Sequence, residues 1–415
     1  MEKKLKILMI LPFPRHGKDM RVPPQIGICS YLTNFGHEID WIIWSDDNRG
    51  AQRFIFNGVR VFTTLDYNIL PPKFLLSRIF NKMPKTVMRM WSVLKIFKEH
   101  KYNIILIRDN ALDGLVGFYI KKIYNIKFIF MLSNPLEQEL EYLKIVPQKP
   151  YFLYYSVSKF NKFIATRLLH EADLIITISK WLGEHLVAQG IPKAKILPVP
   201  EGIDVKALRN QDGQEISKKY NLNGLKIIIY VGALGKGRQL ELLIQAFSEV
   251  RKKRADVKLL IVGDGDGKDD LKKISLELGI DCDVIFTGLV PQAEVPSFIA
   301  ASDIGVSPVP QFSFYKMSSP IKMFEYMAMA KPVIANEEIP EHKEVLEQSS
   351  GGILVPFTSK AFADAIFELL DNRHKSNEMG RNGREWVVKN RNYEILARQV
   401  EARYFELERK TGRFK

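Results

Sequence analysis

The chain has 415 residues, of which 46% are hydrophobic and 26% charged, the composition of a globular protein of two or three domains. Its 25 Phe, 15 Tyr and 5 Trp exclude intrinsic disorder, and two distant cysteines, Cys29 and Cys282, exclude a disulfide scaffold and fit a reducing cytosol. Pro12 and Pro14 interrupt the first apolar run, and no window approaches the ~18 uncharged apolar residues of a membrane span. We therefore expect a cytoplasmic protein, soluble or peripheral at the inner face of the cell membrane.

Positive charge is concentrated in the N-terminal half of the chain. The net charge is +14, and residues 1–200 hold 29 basic against 16 acidic residues, whereas residues 201–415 hold 32 against 31. This asymmetry predicts an anionic partner for the first half: nucleic acid, a phosphorylated ligand or an acidic membrane surface.

Short apolar runs alternate with amphipathic, helix-length segments in the first 200 residues. Ser179 has the residue type and position of a helix N-cap. The predicted strands are Leu5–Leu11, Ile39–Trp44, Asn103–Ile107, Lys127–Leu132, Leu174–Ile178 and Ile196–Val199, and the predicted helices include Ala111–Tyr124, Tyr155–His170 and Lys180–Gln189.

The same alternation restarts after a polar connection at Arg209–Gly224. Apolar strands that alternate with helices predict parallel sheets covered on both faces, so two such runs predict two doubly wound α/β domains. Ligands bind at the carboxyl ends of such strands, and the cleft between the domains is the expected site. The second set of strands is Lys226–Val231, Lys258–Val262, Val284–Phe286, Ile304–Ser307, Pro332–Ala335 and Gly352–Val355, with helices at Gln239–Arg251, Asp269–Leu278, Ala293–Ala300, Pro320–Met329 and Ser359–Leu370.

Two glycine-rich segments come close to known nucleotide or metal motifs without completing them. Gly232–Gly237 would open a Walker A loop, but Arg238 and Gln239 replace the Lys and the Ser or Thr that the motif needs. Gly263–Gly267 lacks the third glycine of a dinucleotide loop because Lys268 stands there, and it also lacks the residues of a calcium loop. We interpret the second segment as a sharp strand-to-helix turn.

The loop Gly232–Arg238 leaves a predicted strand and enters a predicted helix. Gly232 and Gly235 allow close approach to the backbone, the amides point outward, and the helix dipole favours an anion. Lys236 and Arg238 add two cations. These features suit a diphosphate, and a solvated basic turn is the equally weighted alternative.

A second group of candidate residues lies at residues 318–328. Ser319 is predicted to cap a helix whose first residue is Pro320, which leaves free amides at the helix N-terminus. Lys322 in the first turn opposes the helix dipole unless it serves a bound anion. Glu325 lies about one turn further on among apolar residues, where a carboxylate needs a partner or a ligand. We favour a ligand such as a ribose diol, with a capping or salt-bridged glutamate as the alternative.

Short motifs follow one another in order along most of the chain. Each is weak alone, but their order and spacing resemble the retaining glycosyltransferases of family four, which have the GT-B fold. The motifs are Gly36-His37-Glu38, Ala172 to Ser179, Pro200 to Asp204, Tyr230-Val231-Gly232, Val262 to Gly265, Phe286 to Val290, Ala301 to Asp303, Phe324 to Ala335 and Gly351 to Pro356.

The resemblance implies how a nucleotide-sugar donor, linked to UDP or GDP, is held. Glu325 matches the glutamate that binds the ribose, Arg238 takes the place of the diphosphate-binding lysine, and Lys236 is placed to share that task. Gly288 and Val290 match the stretch that contacts the base through its backbone. The segment whose amides meet the pyrophosphate and the sugar corresponds to Ser319, Pro320, Ile321 and Lys322.

Several positions depart from the family pattern. Met317 stands where the first glutamate, a ligand of the donor sugar, is common, and Ala233 replaces a frequent arginine. Ser133, followed by Asn134, replaces the histidine that often ends the fourth strand of the first domain. The resemblance therefore leaves the sugar and acceptor contacts open.

The first strand-to-helix loop supplies the other acceptor-side candidates. The paired glycines of the family are missing there, with Gly17 nearby, and His16 either faces the cleft or is an exposed loop histidine. The acceptor-side candidates are His16, Gly17, Ser133 and Asn134. No metal-ligand spacing occurs in the sequence, so we expect no metal and no cofactor besides the nucleotide sugar as co-substrate.

Two cationic, aromatic-rich segments, residues 73–98 and 151–167, suit an anionic membrane surface. The alternative is a pair of helices that pack on their own domain and present a solvated basic face.

The resemblance implies transfer of a sugar from a nucleotide sugar to a hydroxyl of a glycan or lipid-linked acceptor, with retention of configuration, in cell-surface polysaccharide or glycolipid synthesis. It implies two Rossmann-like domains facing a cleft: an acceptor domain at residues 1–200 and a nucleotide-sugar domain at residues 201–390. A terminal helix within residues 391–415 would cross back to the first domain. The basic first half favours an acceptor that is anionic or lipid-linked.

Three alternatives stay open. A nucleic-acid-binding protein would use the same charge, but no reader motif is present, so we expect no nucleic-acid partner. A GT-B nucleotide-sugar epimerase would need no acceptor. A non-catalytic GT-B partner subunit would explain Met317 and Ser133.

Overall fold

The computed structural model describes residues 4–15, 22, 24–45, 52–65, 90–145, 151–208 and 211–409. The chain divides into two compact units. Unit 1 comprises Met1–Leu143, Pro147–Pro200 and Glu394–Lys415, and unit 2 comprises Lys144–Val146 and Glu201–Tyr393. Each unit is built around one sheet of mainly parallel strands, which confirms the predicted α/β class with two parallel-sheet domains.

The sheet of unit 1 has the order β3-β4-β2-β1-β5-β6-β7-β8. All its strand pairs are parallel except β3 with β4, a hairpin whose turn, Asn57-Gly58, has positive φ at both residues. Asn-Gly is a strong hairpin signal, and our sequence analysis missed it. The strands are β1 Lys6–Arg15, β2 Glu38–Ser45, β3 Arg53–Phe56, β4 Val59–Leu65, β5 Ile104–Arg108, β6 Lys127–Leu132, β7 Leu174–Thr177 and β8 Ile196–Pro198.

The helices of unit 1 cover a sheet whose central strands are buried on both faces. All five residues of β5 are buried, as expected for a parallel strand between two helical layers. The predicted N-cap is confirmed, since Ser179 Oγ accepts a hydrogen bond from the Leu182 amide at 3.0 Å. The helices are α1 Ile28–Asn34, α2 at residues 90–100, α3 Ala111–Tyr124, α4 Gln138–Ile145, α5 Tyr151–Glu171 and α6 Lys180–Ala188.

Unit 2 has a fully parallel sheet in the order β11-β10-β9-β12-β13-β14. Side chains of β10 alternate between two buried apolar layers: Leu259 and Ile261 face one layer, and Leu260 and Val262 face the other. The strands are β9 Lys226–Val231, β10 Val257–Val262, β11 Val284–Gly288, β12 Ile304–Ser307, β13 Val333–Asn336 and β14 Gly352–Val355. The helices are α7 Gln214–Lys219, α8 Glu241–Lys253, α9 Lys268–Glu277, α10 Val295–Ala300, α11 Ile321–Ala328, α12 Pro340–Ser349, α13 Ser359–Asp371 and α14 Arg373–Asn390.

The last described helix, α15 Tyr393–Arg409, belongs for nearly all its length to unit 1. Glu401 on this helix lies 2.8 Å from Nε2 of the buried His37, which precedes β2. Among the residues described, no helix is both long enough and apolar enough to cross a membrane.

Each sheet has one point at which the strand order reverses. In unit 1, β1 lies between β2 and β5, and in unit 2, β9 lies between β10 and β12. Ligands of doubly wound sheets bind outside the carboxyl ends of the strands at such a switch point. The segments that follow β9 and β12 are therefore the first place to look for a site in unit 2, and those that follow β1 and β5 in unit 1.

Candidate functional site

Three segments meet at the switch point of unit 2. The loop Gly232–Gln239 follows β9, residues 308–320 follow β12, and α11 comes directly after them. The hydroxyl of the buried Tyr326 on α11 accepts a hydrogen bond from the Val231 amide at 2.8 Å, so the end of β9 is bonded to the helix.

The glycine-rich acidic run after β10 supports the loop after β9. A methyl group on Gly263 would lie 1.9 Å from the carbonyl oxygen of Gly232, so the two backbones touch. The Leu234 amide donates to the Asp264 carbonyl, and the Gly267 amide donates to the Leu234 carbonyl. The interpretation as a strand-to-helix turn is confirmed, because α9 begins at Lys268; its supporting role was not visible in the sequence.

The structure does not bring Lys236 to the other candidate residues. Its ammonium pairs with Asp270 at 3.0 Å, and both side chains are more than half exposed. Its backbone amide donates to the Asp266 carboxylate at 3.0 Å. The Asp270 carboxylate raises the pKa of Lys236. Both polar groups of Lys236 are thus directed to α9 and the turn before it.

Arg238, by contrast, faces the segment after β12. The central carbon of its guanidinium lies 4.8 Å from the centre of the Tyr315 ring. Tyr315 begins a 3-10 turn that ends at Met317, the position where the family commonly has a glutamate. Stacking on an aromatic face holds the planar guanidinium while its N–H groups stay available for an anion.

Lys322 on α11 lies near the same cation. Its ammonium is 5.1 Å from the centre of the Tyr230 ring. The half-buried side chain has its pKa lowered to about 7, mainly by removal from water and further by the positive charge of Arg238. Two cations that repel one another across a partly dry site favour the binding of an anion between them.

Glu325 lies one helical turn beyond Lys322. Burial raises the pKa of its carboxyl to about 7, and the charge of Lys322 opposes this shift. Within the described ranges, no group donates a hydrogen bond to its carboxylate. A buried carboxylate in this position needs a partner, and a ligand of Glu325 stays a prediction.

The helix start differs from the prediction. α11 begins at Ile321, its N-cap position is Pro320, and no side chain caps it. Ser319 was expected to be the cap, but its hydroxyl instead accepts a hydrogen bond from the Glu201 amide at 3.1 Å. Because the serine hydroxyl is engaged elsewhere, no side chain caps the first amides of α11.

Gly288 is the last residue of β11, and Val290 follows two residues later at the same edge of the sheet. Gly288 has a φ of 73°, and its carbonyl oxygen accepts a hydrogen bond from the Gly263 amide at 3.1 Å. The β11 end is therefore joined to the turn that supports the loop with Gly232 and Gly235.

The acceptor-side candidates belong to unit 1. His16 and Gly17 lie outside the described residues. The buried Ser133 follows β6 and accepts a hydrogen bond from a guanidinium nitrogen of Arg108, whereas Asn134 is exposed. In the described part of the chain, no group of three or more His, Cys, Asp or Glu residues is arranged to hold a metal ion.

Sequence analysis missed the aromatic and arginine residues that shape these positions. Tyr230, Tyr315 and Tyr326 lie in segments that were recognised for their glycines, serines and charges. Arg108 lies one residue beyond the predicted strand Asn103–Ile107. The signal available for each was a polar or aromatic residue at the carboxyl end of a central strand or in the segment that follows it.

Comparison with known proteins assigns the class. The model for Glycosyltransferase Family 4 matches residues 26–207, and the model for Glycosyl transferases group 1 matches residues 212–386. The chain belongs to this family of glycosyltransferases, which confirms the resemblance seen in the motifs.

Curated relatives act on different substrates. Alpha-D-kanosaminyltransferase of Streptomyces kanamyceticus is 29% identical over 40% of this chain and 42% of its own length. The GDP-mannose-dependent alpha-(1-6)-phosphatidylinositol monomannoside mannosyltransferase of Mycolicibacterium smegmatis is 24% identical over 54% of this chain and 60% of its own length. The matches thus span about two fifths to three fifths of these relatives.

Among solved structures, Anabaena HepE in complex with UDP and glucose superposes with a TM-score of 0.73. It covers 97% of this chain and all of its own, at 16% identity. This likeness shows the fold, and the predicted GT-B fold class is confirmed.

Proposed function

We propose that this protein transfers a sugar from a nucleotide-sugar donor to a hydroxyl of a glycan or lipid-linked acceptor. The observation that carries the proposal is the group Arg238, Lys322 and Glu325 at the switch point of unit 2. It joins two cations that repel one another, neither in an ion pair closer than 4 Å within the described residues, to a carboxylate with no hydrogen-bond donor among those residues. A nucleoside diphosphate supplies both missing partners, the diphosphate for the cations and the ribose diol for the carboxylate.

The chemistry requires stabilisation of the negative charge on the departing diphosphate. Preorganised cations and amides in a partly dry site provide it without solvent reorganisation. In this proposal Arg238, Lys322 and the first amides of α11 do so, with no metal required. Lys236 is withdrawn from this role because its ammonium pairs with Asp270.

Retention of configuration is proposed because the family that the motifs resemble is a family of retaining enzymes. The bond between the anomeric carbon and the donor phosphate breaks while the acceptor oxygen bonds to the same face of the sugar. The departing phosphate oxygen then takes the proton of the acceptor hydroxyl. This route needs no protein general base.

The donor nucleotide is UDP or GDP in this proposal. One curated relative is named as GDP-mannose-dependent, and HepE was solved with UDP and glucose. The backbone at Gly288 and Val290 is the proposed base contact.

A thermal-shift panel of UDP, GDP, ADP and CMP tests the donor site, because a ligand that binds only the folded state raises its melting temperature. One nucleotide should stabilise the wild type. It should stabilise neither Glu325→Ala nor Arg238→Ala. Lys236→Ala is the matched control, a nearby lysine whose ammonium faces Asp270, and it should keep most of the shift. No shift with any nucleotide would contradict the proposal.

An assay of catalytic turnover distinguishes the transferase from the non-catalytic partner subunit and from the epimerase. Release of nucleotide and transfer of radiolabelled sugar to a lipid extract are expected. Nucleotide binding without turnover would favour the non-catalytic partner subunit, and free nucleotide together with an epimerised sugar would favour the epimerase.

The acceptor side includes an aromatic, cationic surface on unit 1. On α5, Phe152, Phe160 and Phe163 are exposed, Phe152 to 79%, and on the adjacent α3 Tyr119 is exposed. Cations lie over neighbouring rings: Lys159 over Tyr155, Arg167 over Phe163 and Lys122 over Phe118. We define this α3–α5 surface as the aromatic face. It supports the proposal that residues 151–167 contact an anionic membrane at the inner face of the cell membrane.

The other proposed membrane segment is only partly described. Residues 73–89 lie outside the described residues, and on α2 the exposed Trp91 has the Lys95 ammonium 5.6 Å from its ring. Residues 90–98 therefore present the same pairing of aromatic ring and cation as the aromatic face.

Co-sedimentation with vesicles tests this part of the proposal. The wild type should bind vesicles that contain phosphatidylglycerol more strongly than vesicles of phosphatidylcholine alone. The triple variant Phe152→Ser, Phe160→Ser, Phe163→Ser should lose this preference. Leu276→Ser on α9 of unit 2, 65% exposed, is the control and should bind like the wild type. Equal binding by the triple variant would argue against the aromatic face.

A further inference from the structure

Arg108 occupies the switch point of unit 1. It is the last residue of β5, the strand that lies beside β1 where the strand order reverses, and it pairs in register with Met131 of β6. Ser133 follows β6 at the same edge of the sheet. A ligand of a doubly wound sheet is expected outside this edge.

The guanidinium of Arg108 is buried, with 8% of the residue exposed, and its charge is incompletely matched. One terminal nitrogen donates to the Ser133 hydroxyl. Its Nε lies 3.5 Å from the Asp109 carboxylate and makes no hydrogen bond. A buried N–H group without an acceptor is rare in folded proteins and calls for an explanation.

Asp109 makes only a long ion pair with the guanidinium, and its other bonds go to the neighbouring strand and loop. Its carboxylate accepts a hydrogen bond from the Ser133 amide at 2.7 Å, and its own amide donates to the Met131 carbonyl at 2.9 Å. Its backbone is in the left-handed region, with a φ of 54°. One carboxylate oxygen therefore holds the loop at Ser133, and the other pairs with the Arg108 guanidinium at 3.5 Å without a hydrogen bond to Nε.

Arg60 in the same unit shows what a structural arginine looks like. Its guanidinium donates two hydrogen bonds, at 2.7 and 2.9 Å, to the two oxygens of the fully buried Asp40. Such a two-point pair satisfies the charge and the geometry of both groups. Arg108 lacks such a two-point pair: it donates to the neutral Ser133 hydroxyl, and its Nε makes no hydrogen bond.

We propose that Arg108, together with the Ser133 hydroxyl, forms an oxyanion subsite of the acceptor, which binds a carboxylate or phosphate group that the acceptor carries. The inference rests on the proposed function and specifies its acceptor as anionic at the point that meets the edge of the sheet. A planar guanidinium binds such groups through two parallel N–H···O bonds, and the ligand supplies the acceptor that Nε lacks.

Isothermal titration with inorganic phosphate tests the subsite, on variants first shown to be folded by thermal unfolding. Wild type and Arg238→Ala should share a phosphate site that Arg108→Gln lacks. Arg108→Lys keeps the charge but lacks the two parallel N–H donors of the guanidinium, and it should bind phosphate about tenfold more weakly. An unchanged phosphate isotherm in folded Arg108→Gln, or loss of all phosphate binding in Arg238→Ala, would overturn the inference. If Arg108→Gln does not fold, unchanged affinity in Arg108→Lys overturns it.

Two further measurements separate the possible outcomes. The nucleotide panel repeated on Arg108→Gln should give the wild-type shift, so loss of the donor site and loss of the oxyanion subsite are distinguishable. Competition of phosphate by methyl phosphate or by acetate then distinguishes a phosphorylated, lipid-linked acceptor from an acidic glycan. Competition by neither would contradict the subsite.

Discussion

The ammonium of Lys322 lies 5.1 Å from the centre of the Tyr230 ring, and the hydroxyl of that tyrosine donates to the Ala233 carbonyl at 3.2 Å. A methyl on Gly232 would lie 3.3 Å from Cε of the lysine. One residue of β9 therefore positions both the cation of α11 and the loop that follows the strand. An aromatic face attracts a cation electrostatically and leaves it able to meet a second, anionic partner.

The first prediction follows from the lowered pKa of Lys322, which is about 7. At pH 8 most Lys322 side chains are neutral. A diphosphate beside the amine favours its charged form, so nucleoside diphosphate binding should take up close to one proton. Isothermal titration at pH 8 in two buffers of different ionisation enthalpy measures this uptake. Lys322→Met should abolish it, and identical heats in the two buffers for the wild type would contradict the assignment.

Glu325 should make nucleotide affinity depend on pH below pH 7, in the direction opposite to the effect of Lys322. Its pKa is raised to about 7, so protonation below pH 7 removes the acceptor for the ribose diol. Nucleotide affinity should fall as the pH drops from 7 to 5, and the fall should be absent in Glu325→Gln, which is already neutral and binds weakly throughout. A pH profile of the dissociation constant for both proteins checks this, and parallel profiles would exclude Glu325 as the titrating group.

Two glycines of adjoining loops should differ sharply in their tolerance of alanine. Gly263 has a φ of 150°, and an added methyl would lie 1.9 Å from the Gly232 carbonyl, so Gly263→Ala should lower the free energy of unfolding by roughly 3 kcal/mol or more. Gly235 has a φ of −72°, and the nearest atom to an added methyl is 3.6 Å away. Gly235→Ala should therefore cost less than about 0.5 kcal/mol in urea unfolding. Equal losses would show that the two loops do not touch as described.

The sequence predicted the fold well where the physical signal is local. Lys226–Val231, Ile304–Ser307 and Ala111–Tyr124 were predicted with their observed bounds, because apolar runs and helical periodicity depend on neighbours in the chain. Strand β3 of the hairpin was missed, since its burial alternates between half-buried and exposed residues and gives no continuous apolar run.

The candidate site was predictable in its charges and not in its contacts. Glu325 was singled out because a carboxylate among apolar residues is costly, which the sequence alone conveys. Lys236 pairs with Asp270, which is 34 positions away in the chain. Ser319 bonds to the Glu201 amide, 118 positions away, instead of capping α11. No pattern of spacing encodes such pairings.

Tyr326 supports a second stability prediction. Its hydroxyl is the acceptor for the Val231 amide, and its ring fills the space that the absent side chain of Gly305 leaves open. Tyr326→Phe leaves that buried amide without an acceptor and should lower the free energy of unfolding by about 1–3 kcal/mol. Tyr119→Phe, at an exposed position of α3, is the matched control and should change little. Urea unfolding measures both, and a neutral Tyr326→Phe would mean that water reaches the Val231 amide.

The last prediction concerns the attachment of α15 to the rest of unit 1. His37 is buried, and its Nδ1 accepts a hydrogen bond from the Leu5 amide at 3.2 Å, so its Nε2 carries the proton and donates to Glu401 at 2.8 Å. One side chain thus joins the start of β1 to the terminal helix. His37→Ala removes both bonds and should lower the free energy of unfolding of unit 1 by roughly 2–3 kcal/mol.

Amide hydrogen exchange shows which elements of unit 1 lose stability in His37→Ala. In His37→Ala, the amides of α15 and of the first residues of β1 should exchange faster, while those of β9 and β10 in unit 2 keep their wild-type protection. Glu401→Gln retains an oxygen that accepts the His37 N–H and should cost less than about 1 kcal/mol. Gln399→Ala, at an exposed position of the same helix, controls for general effects on helix stability. If His37→Ala and Gln399→Ala accelerate exchange in α15 equally, the His37–Glu401 contact does not secure the helix.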